Sequence, residues 1–93
     1  MAIAEAHAER LVLTHWKDAA GPFRGTLPAS AARHAAISPL FSEVGEGAVD
    51  WQAWQRMLDR VGYEGWTVLE IDSCPDPENQ VRRAREFVES ALV

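Results

Sequence analysis

The feature that most constrains the fold is an apolar run that ends in polar residues, Leu-Val-Leu-Thr-His-Trp-Lys-Asp over 11–18. A segment that is apolar on both sides is typical of a strand in a parallel sheet with helices on its faces. The run therefore predicts a strand over 11–16. Because side chains alternate along a strand, His15 and Lys17 share one face at its carboxyl end. In α/β sheets and barrels that end binds ligands, so both are candidate site residues.

A helix in the second half of the chain is clearly marked. Asp50 is a suitable N-cap, and apolar residues recur at helical spacing after it. Gly62 is a typical C-terminal stop. These signals predict a helix over 51–61.

A second apolar run predicts a strand over 66–72, which again carries a polar residue, Glu70, near its carboxyl end. Pro77 stands at the first position of a further amphipathic pattern, so we expect a helix over 77–91. Both elements repeat the strand-then-helix order of the first half.

Two segments are less regular. Residues 2–10 are alanine-rich and begin without a capping residue, so they read as the tail of a helix whose start lies elsewhere. Residues 17–49 hold four of the six glycines and three prolines. They predict a long loop, with one short helix around 29–36. Loops of this length often act as lids or binding loops.

The order of these elements predicts an α/β fold, a single βαβα unit. Strands joined through a helix are parallel with a right-handed crossover. Two parallel strands do not form a stable sheet alone, because both have an edge of open hydrogen-bonding groups. We therefore expect the unit to be incomplete on its own and to need a companion chain or further copies.

The two polar strand ends suggest a metal site. Neighbouring strands lie about 4.8 Å apart, so His15 and Glu70 can converge on one ion at roughly 2.0 to 2.2 Å. An imidazole with a carboxylate suits Mn²⁺, Co²⁺, Mg²⁺ or Zn²⁺. Two ligands are too few, so further ligands must come from outside this pair of strands.

Three motifs in series carry a family resemblance. His-Trp-Lys-Asp at 15–18, Gly-Glu-Gly-Ala-Val-Asp-Trp at 45–51 and Gly-Tyr-Glu-Gly-Trp at 62–66 precede the strand that bears Glu70. In this order they resemble the C-terminal part of the sugar phosphate isomerase/epimerase family, which has the xylose isomerase-like TIM barrel and includes inosose dehydratases and ketose 3-epimerases. The motifs cover most of residues 11–72.

The resemblance implies that the two strands correspond to the last two units of a (β/α)₈ barrel. It matches His15 and Glu70 to metal ligands and Glu70 also to a catalytic acid/base. It implies proton transfer next to a metal-polarised carbonyl of a sugar or sugar phosphate. Lys17 is a candidate substrate-binding residue, and so is Arg24, although Arg24 lies later than the family's arginine.

Two departures from the family pattern matter. The family's other two metal ligands, a Glu and an Asp on earlier strands, have no counterpart in these 93 residues. A whole barrel needs about 250 residues. A non-catalytic structural or regulatory partner subunit derived from the same barrel is therefore the alternative reading.

Composition limits the remaining choices. The net charge is −5, and there is no basic cluster for nucleic acid, which counts against the apurinic-site endonucleases that share the barrel. No run is long and apolar enough for a membrane span or a signal peptide. A single cysteine, Cys74, forms no internal disulfide, so a reducing, cytoplasmic location is expected.

Overall fold

The computed structural model describes residues 1–72 and 74–93. Three short helical turns, Ala8–Arg10, Ser38–Leu40 and Val88–Leu92, lie between or after its main elements. The helices and strands in chain order are α1 (Ala2–Ala6), β1 (Leu13–Trp16), β2 (Asp18–Ala19), α2 (Ser30–Ile37), β3 (Phe41–Ser42), α3 (Trp51–Val61), β4 (Trp66–Leu69) and α4 (Pro77–Phe87).

The central feature is a parallel pair of strands, β1 and β4. Leu13 lies opposite Trp66, and His15 lies opposite Val68. The backbone N–H of Glu70 donates to the carbonyl of Trp16 at 2.9 Å, which extends the pairing one step beyond β4. The chain is therefore a mixed α/β structure with parallel strands joined through a helix, as predicted.

Both strands are shorter than the predicted 11–16 and 66–72. A strand needs a hydrogen-bonded neighbour, and β4 begins only at Trp66, after a turn, so residues 11 and 12 have no partner in it. At the other end, the chain leaves β1 at Asp18 to pair with β3. Residues 71 and 72 therefore have no neighbour on that side.

The segment 17–49, predicted as a long loop, contains strands of its own. Asp18 and Ala19 in β2 pair antiparallel with Ser42 and Phe41 in β3. The Ala20 N–H also donates to the Leu40 carbonyl at 2.8 Å. Strands of two residues are too short to show an alternating pattern, so the sequence does not reveal this ribbon. Residues 17–49 therefore form a hairpin-like segment, with β2 and β3 paired and α2 between them in the chain. We call this segment the excursion.

The core lies on one face of the β1–β4 pair, between the sheet and the helices. Trp16 of β1 and Trp51 of α3 stack with ring centroids 5.0 Å apart and an interplanar angle of 22°. Burying such aromatic side chains supplies much of a small domain's stability. Among the described residues, the buried apolar ones that form this core are Trp16, Val44, Trp51, Met57, Leu58 and Ala84.

The other face of the same sheet is apolar and uncovered. Leu13 is 48% exposed, Trp66 is 80% exposed and Val68 is 38% exposed. These three side chains share the face that also carries His15, because they occupy alternate, paired positions. We call this surface the open face. A parallel sheet is normally covered on both faces, and here only one is.

Within residues 1–72 and 74–93, no helix combines the length and the apolar character that crossing a membrane requires.

Candidate metal and substrate site at the carboxyl end of the sheet

The carboxyl ends of β1 and β4 bring together three of the four predicted site residues. His15 Nδ1 and Glu70 Oε2 are 3.0 Å apart. Lys17 Nζ lies 2.8 Å from the other carboxylate oxygen, Glu70 Oε1. The parallel register causes this convergence, since His15 and Lys17 follow each other on one face of β1 while Glu70 directly follows β4.

Lys17 has two further contacts that hold its ammonium group. Its Nζ donates to Asp72 Oδ2 at 2.8 Å and lies 4.6 Å from the centroid of the Phe41 ring. A cation at this distance over an aromatic face is attracted to it. The hydrogen bonds to Asp72 and Glu70 raise the pKa of Lys17 above its ordinary value. The lysine therefore stays charged and connects β1, β3 and the end of β4.

The surroundings of Glu70 stabilise its ionised form. Hydrogen bonds from Lys17 and then from His15 lower the pKa of Glu70 from 4.5 to about 2. The side chains of His15 and Glu70 are 55% and 38% exposed, so the pair is open to solvent. At neutral pH the carboxylate is charged, as a metal ligand must be.

We expect the Lys17→Met variant to raise the pKa of Glu70 toward 4.5, because Lys17 is the larger cause of its depression. A depressed carboxyl pKa stabilises the fold above the unfolded value and loses that contribution as pH falls. The parent's stability should therefore decline between pH 4.5 and about 2 through this group. The measurement is the pH titration of the Glu70 carboxyl carbon by NMR. Arg85→Met, which removes an exposed cation paired with Glu89, is the control and should leave the Glu70 pKa unchanged.

Arg24, the fourth predicted residue, is not part of this cluster. It is exposed in the segment between β2 and α2. Among the described residues it forms no hydrogen bond or ion pair with His15, Lys17 or Glu70.

Sequence reasoning missed the role of a buried carboxylate next to the site, Asp18. Its side chain is 0% exposed. Burial alone would raise the pKa of Asp18, but hydrogen bonds from Trp51 and from backbone N–H groups hold this pKa below its ordinary value. The donors are the Trp51 indole at 2.6 Å and the N–H groups of Ala19, Gly45, Gly47 and Val49 at 2.9 to 3.2 Å.

Through these hydrogen bonds, Asp18 holds the chain just after β1 against the segment that leads into α3. Gly47 is required in this arrangement, since a Cβ there would collide with the Asp18 carboxylate and the Ala19 carbonyl. The joint occurrence of His-Trp-Lys-Asp at 15–18 and Gly-Glu-Gly at 45–47 was the available signal. The two motifs belong to one hydrogen-bonded structure that fixes where His15 and Lys17 lie.

A groove of about 410 Å³ adjoins the cluster. It is lined by His15 and Lys17 and by Asp50, Trp51 and Trp54 at the start of α3. A groove of this size is within the range of small-molecule sites. A lining that combines charged groups with tryptophan rings suits a polar ligand with an apolar face.

The donor set fits a divalent metal. His15 Nδ1 and Glu70 Oε2 are now at hydrogen-bond distance, 3.0 Å, so an ion held by both would take the place of the proton between them. Within residues 1–72 and 74–93, no group of three or more His, Cys, Asp and Glu side chains is placed to hold an ion. Among the described residues, His15 and Glu70 therefore do not form a complete metal site by themselves.

The chain is an α/β protein with charged side chains gathered at the carboxyl ends of two parallel strands, the end at which α/β sheets and barrels generally carry their ligand sites. Residues 1–91 match the family model described as xylose isomerase-like TIM barrel. The chain belongs to this family, and the resemblance predicted from its motifs is confirmed.

The chain is similar to two inosose dehydratases and to a rhizopine catabolism protein. Over its full length the chain is 28% identical to inosose dehydratase from Bacillus licheniformis and 29% identical to inosose dehydratase from Bacillus velezensis, covering 33% of each relative. Over 91% of its length it is 29% identical to rhizopine catabolism protein MocC from Rhizobium meliloti, covering 27% of that protein. The chain thus spans about a third of the relatives it matches. No solved structure matches the chain significantly.

Proposed function

We propose that the chain supplies the last two strand–helix units of a divalent-metal-dependent enzyme that acts on a sugar or sugar phosphate. The reaction class is isomerisation, epimerisation or the related dehydration, and the similarity to inosose dehydratases favours dehydration. The observation that carries the proposal is the placement of His15 Nδ1 and Glu70 Oε2 3.0 Å apart at the carboxyl end of a parallel strand pair.

Each residue of the cluster has a proposed task. His15 and Glu70 hold the ion, which when bound would polarise a substrate carbonyl. The family resemblance also gives Glu70 the proton transfer on the adjacent carbon, for which Oε1 keeps a second lone pair beside the one that accepts from Lys17. Lys17 uses two of its three N–H donors on Glu70 and Asp72 and offers the third to a substrate oxygen.

Arg24 is proposed as a second substrate-binding residue, which would approach the substrate from another part of the chain than Lys17 does. It lies on the excursion between β2 and α2, which departs from the carboxyl end of β1. A guanidinium on this side would suit a phosphate or a row of hydroxyl groups.

The enzyme is tested by removing and restoring the metal. With an inosose as substrate, the assembled protein is expected to lose its activity after treatment with a chelator and to recover it with Mn²⁺ or Co²⁺. Activity that survives chelation would contradict the metal-dependent mechanism.

The alternative is a non-catalytic subunit built from the same barrel, and one observation favours it. Both oxygens of Glu70 already have partners in this chain, Lys17 and His15, so the cluster is stable as an ion-pair network without any metal. No metal binding at any accessible concentration in the assembled protein would support this alternative.

The open face supports a proposal about the partner that completes the site. Leu13, Trp66 and Val68 present an apolar surface beside His15 on the strands, and the chain covers about a third of its relatives. We propose that a companion chain, or further copies of this one, covers the open face and brings the missing ligands. The assembly would also pair the outer edges of β1 and β4.

We expect the 93-residue chain to associate rather than remain a folded monomer, and Trp66→Lys to prevent this. Trp66 is 80% exposed, so a lysine is tolerated by the fold but not by a covered apolar face. Sedimentation equilibrium measures the mass. Val81→Lys, at a position on α4 that is 49% exposed, is the matched control and should associate as the parent does. A parent that sediments as a folded monomer would contradict the proposed assembly.

A further inference from the structure

The two oxygens of the Glu70 carboxylate are divided between two partners. Oε2 lies 3.0 Å from His15 Nδ1, and Oε1 lies 2.8 Å from Lys17 Nζ. Only Oε2 is therefore directed to the histidine with which Glu70 would share an ion. A carboxylate without such a partner can rotate and bind an ion through one oxygen or through both.

The group that occupies Oε1 is itself fixed. Lys17 Nζ is 2.8 Å from Asp72 Oδ2 and 4.6 Å from the Phe41 ring centroid. Its side chain is only 28% exposed, although lysine is usually among the most mobile side chains. Asp72 also supplies a negative charge that offsets the repulsion between the ammonium and a nearby cation.

We propose that Lys17 is a positioning residue that holds Glu70 as a one-oxygen metal ligand, with Asp72 and Phe41 holding Lys17 in turn. This inference rests on the proposed function, in which His15 and Glu70 bind the ion. Ligating carboxylates are oriented by hydrogen bonds from outer groups, and removing such a group typically weakens metal affinity 10- to 100-fold. Phe41 belongs to β3, so Lys17 contacts both the excursion, through the Phe41 ring, and Glu70, the proposed metal ligand.

The test is a calorimetric Mn²⁺ titration of the assembled protein for the parent and four variants. Lys17→Met is expected to bind Mn²⁺ about 10- to 100-fold more weakly than the parent. Asp72→Asn should weaken binding in the same direction but less, because Lys17 keeps its contact with Glu70. Arg85→Met removes the same unit of charge from an exposed pair on α4 and should bind as the parent does. Glu70→Gln should lose binding altogether.

A second readout separates positioning from a general loss of stability. With Co²⁺ in place of Mn²⁺, Lys17→Met frees Oε1 to join the coordination, so the visible absorption spectrum should change. Arg85→Met should keep the parent spectrum. If Lys17→Met does not fold, the Asp72→Asn titration decides the question: Mn²⁺ binding as tight as in the parent would then overturn the role of Lys17.

The outcomes separate the two proposals. Parent-like or tighter Mn²⁺ binding by Lys17→Met, with binding lost in Glu70→Gln, would overturn the role of Lys17 and leave the metal site standing. A parent that binds no Mn²⁺, or a Glu70→Gln variant that binds as the parent does, would overturn the proposed function and the role of Lys17 with it.

Discussion

Replacing either His15 or Glu70 by alanine is expected to abolish Mn²⁺ or Co²⁺ binding by the assembled protein. Each substitution removes one of about four ligands and leaves the ion poorly held and open to water. The fold should survive, because these side chains are 55% and 38% exposed and lie outside the packed core. The measurement is a calorimetric metal titration beside a thermal melt of each variant.

Two apolar variants serve as controls for this prediction. Leu13→Ala and Val68→Ala should spare metal affinity and lower the stability of the assembled protein by roughly 1 to 4 kcal/mol. Leu13 is 48% and Val68 is 38% exposed in this chain, so the loss should appear only where a partner covers the open face. Metal binding that persists in both alanine variants of the proposed ligands would contradict the site, as would unfolding of those variants while the controls stay folded.

Asp18→Ala is expected to destabilise the chain by at least about 3 kcal/mol, since a buried donor left without its acceptor costs about 1 to 3 kcal/mol. Asp18 accepts hydrogen bonds from four backbone N–H groups and the Trp51 indole. A small domain has only about 5 to 15 kcal/mol in total, so a large unfolded fraction should be visible by circular dichroism in a urea titration. Asp59→Ala, on the exposed side of α3, is the control and should cost little.

The same carboxylate gives this stability a pH dependence. Because the pKa of Asp18 is lower in the fold than its ordinary 3.8, its contribution is complete above that value and declines as pH falls below it. The Asp18→Asn variant should show a smaller loss of stability over this acidic range than the parent. An unchanged acid profile in Asp18→Asn would mean that the buried carboxylate is not the group responsible.

The convergence of His15 and Glu70 follows from sequence because it needs only strand parity and parallel neighbours. Both residues lie at carboxyl ends and on one face, and the observed register places them within hydrogen-bond distance. The assignment of these residues as ligands remains a prediction. The alternation of side chains along a strand does not predict which groups the other polar side chains, such as Asp18, bind.

Asp18 shows why. Three of its donors are backbone N–H groups 27 to 31 residues away, and backbone groups have no sequence signature of their own. The path of the chain between β3 and α3 brings these N–H groups to the carboxylate, and the paired motifs at 15–18 and 45–47 signal a connection without naming the donors. The two-residue strands β2 and β3 were missed for a related reason, since their pairing is long-range and too short for a periodic pattern.

The last helix shows a limit of apolar periodicity. The pattern places Val81 on the buried side of the predicted helix 77–91, yet Val81 is 49% exposed and Gln80 is buried instead. Gln80 accepts a hydrogen bond from the Asp76 N–H at 3.0 Å through its side-chain oxygen, which allows a polar side chain to be buried there. The spacing of apolar residues does not predict such a local hydrogen bond.

The central claim is that His15 of this chain is a ligand of the catalytic metal. The most direct measurement is pulsed electron paramagnetic resonance of the Mn²⁺-loaded assembly, with ¹⁵N-labelled histidine in this chain alone. We expect a ¹⁵N coupling to the ion that disappears in His15→Gln and persists in His34→Gln, a substitution at an exposed position on α2. An ion without ¹⁵N coupling in the parent, or one whose coupling is unchanged in His15→Gln, would contradict this claim.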